Sequence, residues 1–168
     1  MIAAIVAVNN EWGIGYDNQL LEHIPNDLKR FKELTTGNLV VMGSKTWRSL
    51  PVKPLPNRYN YIITRNPDAY LEPNDETAFG TMDTMIKFLE NYNDRYHGDV
   101  FIIGGASIYE QLLPYCDCVY VTKIKKSHEN VDTYFPNLNK MEEWTCSDPS
   151  DWMEYDGTTY RYEFYSRH

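Results

Sequence analysis

Apolar positions along this chain follow two rhythms. Ile2 to Val8, Leu39 to Met42, Tyr59 to Thr64, Val100 to Ile103 and Cys118 to Ile124 are short, nearly continuous apolar runs. Such runs are expected of strands covered on both faces. Between them the spacing turns helical. Ile24, Asp27 or Leu28, Phe31 and Leu34 share one face of a segment that starts at Pro25, while Lys29, Arg30, Lys32 and Glu33 take the other. Proline suits a first helical position, and Gly37 is a natural stop, so a helix from Pro25 to about Thr35 is predicted. Met85, Ile86, Phe88, Leu89 and Tyr92 repeat the pattern over Asp83 to Tyr92. Shorter helices are predicted from Ser44-Lys45-Thr46 to Leu50 and from Ser107 to Leu113, the latter stopped by Pro114. From about Trp144 apolar and polar residues alternate, with Tyr160, Tyr162 and Phe164 facing away from Arg161 and Glu163. With Asp156-Gly157 as the turn, this predicts a C-terminal antiparallel hairpin. Strands alternating with helices, then a hairpin, describe an α/β domain. The stretches Asn9 to His23, Asn66 to Thr77 and Asp132 to Pro136 read as loop or turn. The first is long for a compact domain, and such loops are usually functional.

Composition narrows the picture. At 168 residues, with 42% hydrophobic and 24% charged side chains, the chain fits one soluble domain. No apolar stretch is long enough to cross a bilayer, and no leader is evident. A net charge of -8 argues against nucleic acid or an anionic membrane as partner. An anionic small molecule would need a local cationic pocket. Cys116, Cys118 and Cys146 form no C-x-x-C and no even framework, which predicts reduced thiols in a cytoplasmic protein. His23, His97, His128 and His168 lack metal-ligand spacing and read as ordinary surface residues; no metal is expected.

Three places carry candidate chemistry. Asp27 falls on or beside the apolar stripe of its helix, where a carboxylate must be near the surface, neutral or paired; a first-turn acid facing the helix dipole is the plainer reading. Gly43-Ser44-Lys45-Thr46 places a glycine, hydroxyls and a cation between strand and helix, as phosphate sites do, although a simple N-cap explains it equally well. Gly104-Gly105-Ala106 follows another strand in the same way. Neither is a Walker loop or a G-x-G-x-x-G fingerprint. Thr64-Arg65 ends a third strand, at the edge where ligands of open α/β sheets bind.

Taken in order, these stretches resemble dihydrofolate reductase over nearly the whole chain. The resemblance is carried by the apolar first strand, Gly13-Ile14-Gly15, Ile24-Pro25-x-Asp27-Leu28 with Phe31, and Val41-Met42-Gly43-x-x-Thr46-Trp47. Pro54-Leu55-Pro56-x-Arg58, Ile103-Gly104-Gly105-Ala106-x-Ile108-Tyr109, Tyr120-Val121-Thr122 and Asp132-Thr133-x-Phe135-Pro136 complete it. It implies a three-layer fold: a mostly parallel central sheet, helices on both faces and the C-terminal antiparallel hairpin, with residues from about 39 to 97 forming an adenosine-binding subdomain. The implied reaction is NADPH-dependent reduction of 7,8-dihydrofolate. Asp27 resembles the carboxylate that holds the pteridine, and Thr122 the threonine of the same network, with Leu20 and Tyr109 beside the reacting centre. Ile5, Ala7, Leu28, Phe31, Leu50 and Ile103 match the apolar slot, with Ser49 near it. Arg58 matches the arginine that binds the substrate's glutamate carboxylate, with Lys32 at the rim. Ala7, Ile14 and Asn18 match positions near the nicotinamide, and Gly15, Ile103 and Thr133 match other cofactor-binding positions. Gly43, Lys45, Thr46 and the turn Gly104, Gly105, Ala106, Ser107, Ile108 and Tyr109 match phosphate contacts. Thr64 and Arg65 match the 2′-phosphate site. Antifolates such as methotrexate or trimethoprim are implied ligands, and a cytoplasmic monomer is expected (in the host cytoplasm if the source is viral).

Two departures stand out. Leu21-Glu22 replaces the family's usual Pro-Trp, which removes an aromatic shield near the nicotinamide. Ser44 and Ser107 stand where many bacterial members have arginine, so the 2′-phosphate would lean on Lys45 and Arg65. Two other readings are a riboflavin-pathway reductase, opposed by the Asp27 and Arg58 motifs, and a folate- or nucleotide-binding module without turnover.

Overall fold

The computed structural model describes residues 1–69, 76–93 and 98–168. In chain order the elements are β1 (Ile2–Val8), β2 (Gly13–Tyr16), β3 (Gln19–Leu20), α1 (Pro25–Thr35), β4 (Leu39–Gly43) and α2 (Ser44–Ser49). Next come β5 (Tyr59–Ile63), β6 (Thr77–Gly80), α3 (Met82–Glu90), β7 (Val100–Gly104), α4 (Ala106–Leu112) and β8 (Cys118–Ile124). The last are β9 (Thr133–Tyr134), β10 (Trp144–Cys146), β11 (Met153–Tyr155) and β12 (Thr158–Arg167). The main sheet runs β10-β12-β8-β1-β7-β4-β5-β6, with β11 paired to β12. From β8 to β6 every pairing is parallel, and β12 joins β8 antiparallel. The fold is the expected mixed sheet, mostly parallel, with helices and a C-terminal antiparallel extension.

Parity along β1 sorts the core. Ile2, Ala4, Val6 and Val8 enter one cluster with Val41, Ile102, Val119 and Val121. Ala3 and Ile5 enter another, with Val40, Met42, Phe101 and Cys118, on the opposite face. Both faces are covered, which is why the strands read as continuous apolar runs rather than alternating ones.

Three stretches differ from the sequence expectation. The Asn9–His23 loop contains β2 and β3, which form a small antiparallel sheet with β9 from the predicted turn Asp132–Pro136. Strands this short carry no readable period; β2 and β3 form a hairpin across Asp17-Asn18, both with positive φ, and β9 adds a distant partner to β2. β6, at the end of the predicted Asn66–Thr77 loop, has one large apolar side chain and exists because β5 offers it a parallel edge; residues 70–75 of that loop lie outside the described residues. The tail is three strands rather than one hairpin, since β12 also pairs with β10. On β12, Glu163 is buried with Tyr165, whose hydroxyl lies 3.1 Å from Glu163 Oε1, and Arg161 Nε donates to Glu163 Oε2 at 3.0 Å. A satisfied carboxylate thus takes an inward position that alternation alone leaves to solvent.

The cysteines are free thiols, Cys116 and Cys118 buried and pushed by that burial up to about 12. His23 and His168 are exposed, and His97 lies outside the described residues. His128 is not an ordinary surface residue: it is half-buried and bonded on both ring nitrogens. Among the described residues no helix is long and apolar enough to cross a membrane.

Candidate active site

Central strands covered on both faces should be fully buried, yet Ile5 and Ala7 of β1 and Ile103 of β7 are only half-buried, while their neighbours on the other face are buried. Ala7 pairs with Thr122 and Ile5 with Tyr120, so these positions share one face of the sheet. Its carboxyl end is therefore open, and α1 borders the opening.

Pro25 is at the start of α1, following Ile24, which is extended and buried. That entry sets Asp27 in the first turn, within reach of β8: Thr122 Oγ1 donates to Asp27 Oδ1 at 2.5 Å. Burial raises the Asp27 carboxyl above the usual carboxylate range, and the Thr122 hydroxyl and the Arg30 charge offset only part of this. Arg30 itself lies over Tyr162, its guanidinium carbon 3.8 Å from the ring centroid.

Phe31 and Thr35 follow Asp27 at one and two turns. Thr35 Oγ1 donates to Phe31 O at 2.7 Å and accepts from Arg58 Nη1 at 3.1 Å. Arg58 Nε donates to Pro56 O at 2.9 Å, and its guanidinium carbon lies 5.9 Å from the Phe31 ring centroid. Neither bond is to a carboxylate, although Arg58 is buried and its basicity is lowered by that burial. With a rise of 1.5 Å per residue, Asp27 and the Thr35–Arg58 contact lie about 12 Å apart along α1. The opening is thus bracketed by a carboxylate at one end and a guanidinium at the other. Leu28 is exposed toward solvent and Leu50 is half-buried.

The glycine turns of β4 and β7 lie side by side. A Cβ on Gly43 would come within 3.0 Å of Ile108 Cγ1, and one on Gly105 would sit 3.6 Å from Thr46 Oγ1. Gly104 has φ +124, a backbone that side chains rarely adopt, and the Gly104–Gly105 peptide is cis. Gly43 and Gly104 are buried, and Ser44 and Gly105, which follow them, are half-buried. Ala106 is half-buried there. Tyr109 is buried; its hydroxyl donates to Ile5 O at 2.7 Å, and burial raises it far above the usual phenol range. Ser107 Oγ accepts from the Gln111 side chain at 2.9 Å. Thr64 Oγ1 accepts from Asn66 N at 3.2 Å; Lys45 and Arg65 are exposed.

The structure brings Asp27, Thr122, Ala7, Ile5, Phe31, Ile103, Tyr109 and Arg58 to one region. Gly15 pairs with Thr133, and Ile14 packs against the main core. Other candidates are more peripheral: Leu20 is 66% exposed, and Asn18, Lys32 and Ser49 are also exposed, with Ser49 Oγ donating to Thr46 O.

One set of contacts escaped the sequence. Glu22 Oε1 accepts from Lys126 Nζ at 2.8 Å and lies 3.0 Å from His128 Nε2, whose ring also meets Asn9. Burial disfavours the Glu22 carboxylate, but the bonds from Lys126 and His128 outweigh it and hold the group below its ordinary value. Pairs more than a hundred residues apart leave no local signal.

A family model described as dihydrofolate reductase matches residues 1–168. Similar curated proteins include the dihydrofolate reductase of Bacillus subtilis, 36% identical over 166 residues, covering 98% of this chain and 92% of that protein. The dihydrofolate reductase of Staphylococcus aureus is 36% identical over 145 residues, covering 85% of this chain and 82% of that protein. Among solved structures, the Enterococcus faecalis dihydrofolate reductase complexed with NADP(H) and RAB-propyl superposes with a TM-score of 0.82 at 32% identity. That match covers 100% of this chain and 96% of the other.

Proposed function

This chain belongs to the dihydrofolate reductase family and reduces 7,8-dihydrofolate to tetrahydrofolate with NADPH; on that premise we propose which of its residues carry the reaction. The observation that supports the assignment best is the bracketed slot: Asp27 at one end, Arg58 about 12 Å away along α1, and an apolar wall between. A flat heterocycle with amide-like donors at one end and a carboxylate tail at the other fits it.

The pteridine lies against Ile5, Ala7, Leu28, Phe31, Leu50 and Ile103. Its 2-amino and N3 groups donate to Asp27, and the Thr122 hydroxyl fixes the carboxylate. Burial makes that negative charge more effective, because the field of a charge is stronger where water is excluded. It favours a proton at N5, which water delivers, and so prepares C6 for hydride. Arg58 answers the substrate's α-carboxylate with a bidentate fork, and Lys32 assists at the rim. Antifolates carrying similar donors compete for Asp27.

The residues of the glycine turns fit the cofactor. A Cβ on Gly43 would crowd Ile108, one on Gly104 would approach Tyr109 and one on Gly105 would approach Thr46, and the starts of α2 and α4 offer N–H groups to phosphates. Lys45, Thr46, Thr64 and Arg65 supply polar and cationic partners, Arg65 for the 2′-phosphate. When bound there, NADPH supplies the hydride. Ala7, Ile14, Gly15, Asn18 and Thr133 border its nicotinamide end, and Tyr109, anchored on Ile5 O, backs it. We further propose an adenosine-binding subdomain over residues from about 39 to 97 and a cytoplasmic monomer.

The test is an absorbance assay. Purified protein should oxidise NADPH only when dihydrofolate is added, and methotrexate should stop it. Tight folate binding without turnover would contradict the reading.

A further inference from the structure

Glu22 stands where the family has an aromatic residue, and its environment shows what it does instead. The stretch after β2 is poorly held by apolar packing: Tyr16 is 48% exposed and Leu20 is 66% exposed. β3 contributes only the pairs Gly15–Leu20 and Tyr16–Gln19. The beginning of the same loop is firmly seated, because Trp12 is buried and stacks on Phe135. Phe135 in turn meets Tyr109, which is bonded to Ile5 of the site. The loop therefore borders the reacting region and is seated at Trp12 and again just beyond its end at buried Ile24, with a sparsely packed stretch between. Glu22 lies in that stretch, five residues before Asp27.

Its carboxylate gathers contacts from two other segments. Lys126 Nζ donates to Oε1 at 2.8 Å, and His128 Nε2 lies 3.0 Å from the same oxygen. His128 Nδ1 lies 3.0 Å from Asn9 Nδ2, just beyond β1. The Asn9 amide can point only one way, because Oδ1 already accepts from the backbone N–H of Glu11 and of Gly13. Its NH2 therefore faces the ring, Nδ1 must accept, and the ring proton sits on Nε2, aimed at Glu22. Each member fixes the next. The Glu22 and His128 side chains are 19% and 14% exposed, so their bond is shielded from water, whereas Lys126 is 51% exposed and contributes less.

We propose that Glu22 is a positioning residue: through His128, and secondarily Lys126, it latches the second half of the 9–23 loop to the carboxyl end of β1, holding the loop over the reacting centre. Among the described residues Glu22 bonds to Lys126 and His128 and not to Asp27 or Thr122, so it acts through the loop and not on the proton. The inference rests on the reductase reading; wild-type turnover tests that reading by itself, and only the variants below test the latch.

The experiment is single-turnover hydride transfer from NADPH to dihydrofolate, in wild type and in Glu22→Ala, Glu22→Gln and His128→Ala. Glu22→Ala should slow hydride transfer about tenfold, with the KM for dihydrofolate changed less than about threefold and the melting temperature nearly unchanged. Glu22→Gln retains an acceptor at the same place and should recover most of the rate. His128→Ala should match Glu22→Ala, and the double variant should be no slower than either single one, as expected of residues acting as a unit. In wild-type enzyme at neutral pH, nitrogen NMR should find His128 as the Nε2–H tautomer, with that signature lost in Glu22→Ala. An unchanged hydride rate in Glu22→Ala, additive losses in the double variant, no rescue by glutamine, or a mixed tautomer in the wild type would each overturn the latch.

Discussion

Asp27 and Arg58, at the proposed substrate end of the site, are withdrawn from water and already bonded, whereas Lys45 and Arg65, at the proposed cofactor end, are exposed and make no hydrogen bond or ion pair among the described residues. The two ends solve different problems. At the substrate end a charge must act on a reacting ring, so the protein desolvates a carboxylate and a guanidinium in advance and keeps each in place through a threonine hydroxyl. At the proposed cofactor end the phosphates would be far from the chemistry and would need only to be held. On the proposed assignment, exposed cations such as Lys45 and Arg65 meet the phosphates from solvent. Preorganisation burdens the folded state; adaptability does not.

If that contrast is right, substitutions at the two ends should differ in kind. Asp27→Asn should have the largest effect, lowering turnover about a thousandfold at pH 7 and recovering as pH falls and substrate arrives already protonated. The same change should stabilise the fold. Burial raises the Asp27 carboxyl, so its ionised form opposes folding above the folded-state titration and the penalty vanishes below the ordinary carboxylate range. The gain in melting temperature should thus be larger at pH 8 than at pH 4. A variant that is slower and also less stable at pH 8 would break the contrast. Arg58→Ala comes next. It should raise the KM for dihydrofolate about a hundredfold and lower the melting temperature, because Thr35 and Pro56 lose their donor. Arg65→Ala should have the smallest effect, raising the KM for NADPH about tenfold while leaving that for NADH and the melting temperature unchanged. Equal losses for the two cofactors would move the 2′-phosphate contact away from Arg65.

The substrate end was also the more legible in sequence. Asp27 stood out as a carboxylate on or beside an apolar stripe, although a first-turn acid was the plainer reading until the family resemblance, and Pro25 marked the helix that carries it. The glycines at the ends of β4 and β7 hinted at ligand turns, but only Gly104 has a backbone that side chains rarely adopt, and the cofactor reading of these turns came from the family resemblance. Five strands of the main sheet, β1, β4, β5, β7 and β8, were visible as buried runs. What stayed hidden depends on pairing across the chain. β2, β3 and β9 are strands only because they meet one another, and Glu163 is inward-facing only because Arg161 and Tyr165 satisfy it. His128 read as an ordinary surface residue, since nothing in its neighbours reveals Asn9 and Glu22 on its two nitrogens. Local pattern conveys periodicity and breaks; it does not convey partners.

The preorganised carboxylate itself is accessible to a titration of the free enzyme, following the side-chain carboxyl carbon of Asp27 by NMR in wild type and in Thr122→Val. Asp27 should titrate above the range of exposed aspartates, and higher again in Thr122→Val, where burial remains but the hydroxyl that steadies the charged form is gone. A midpoint at or below that of exposed aspartates, or one unmoved by the loss of the threonine hydroxyl, would contradict it.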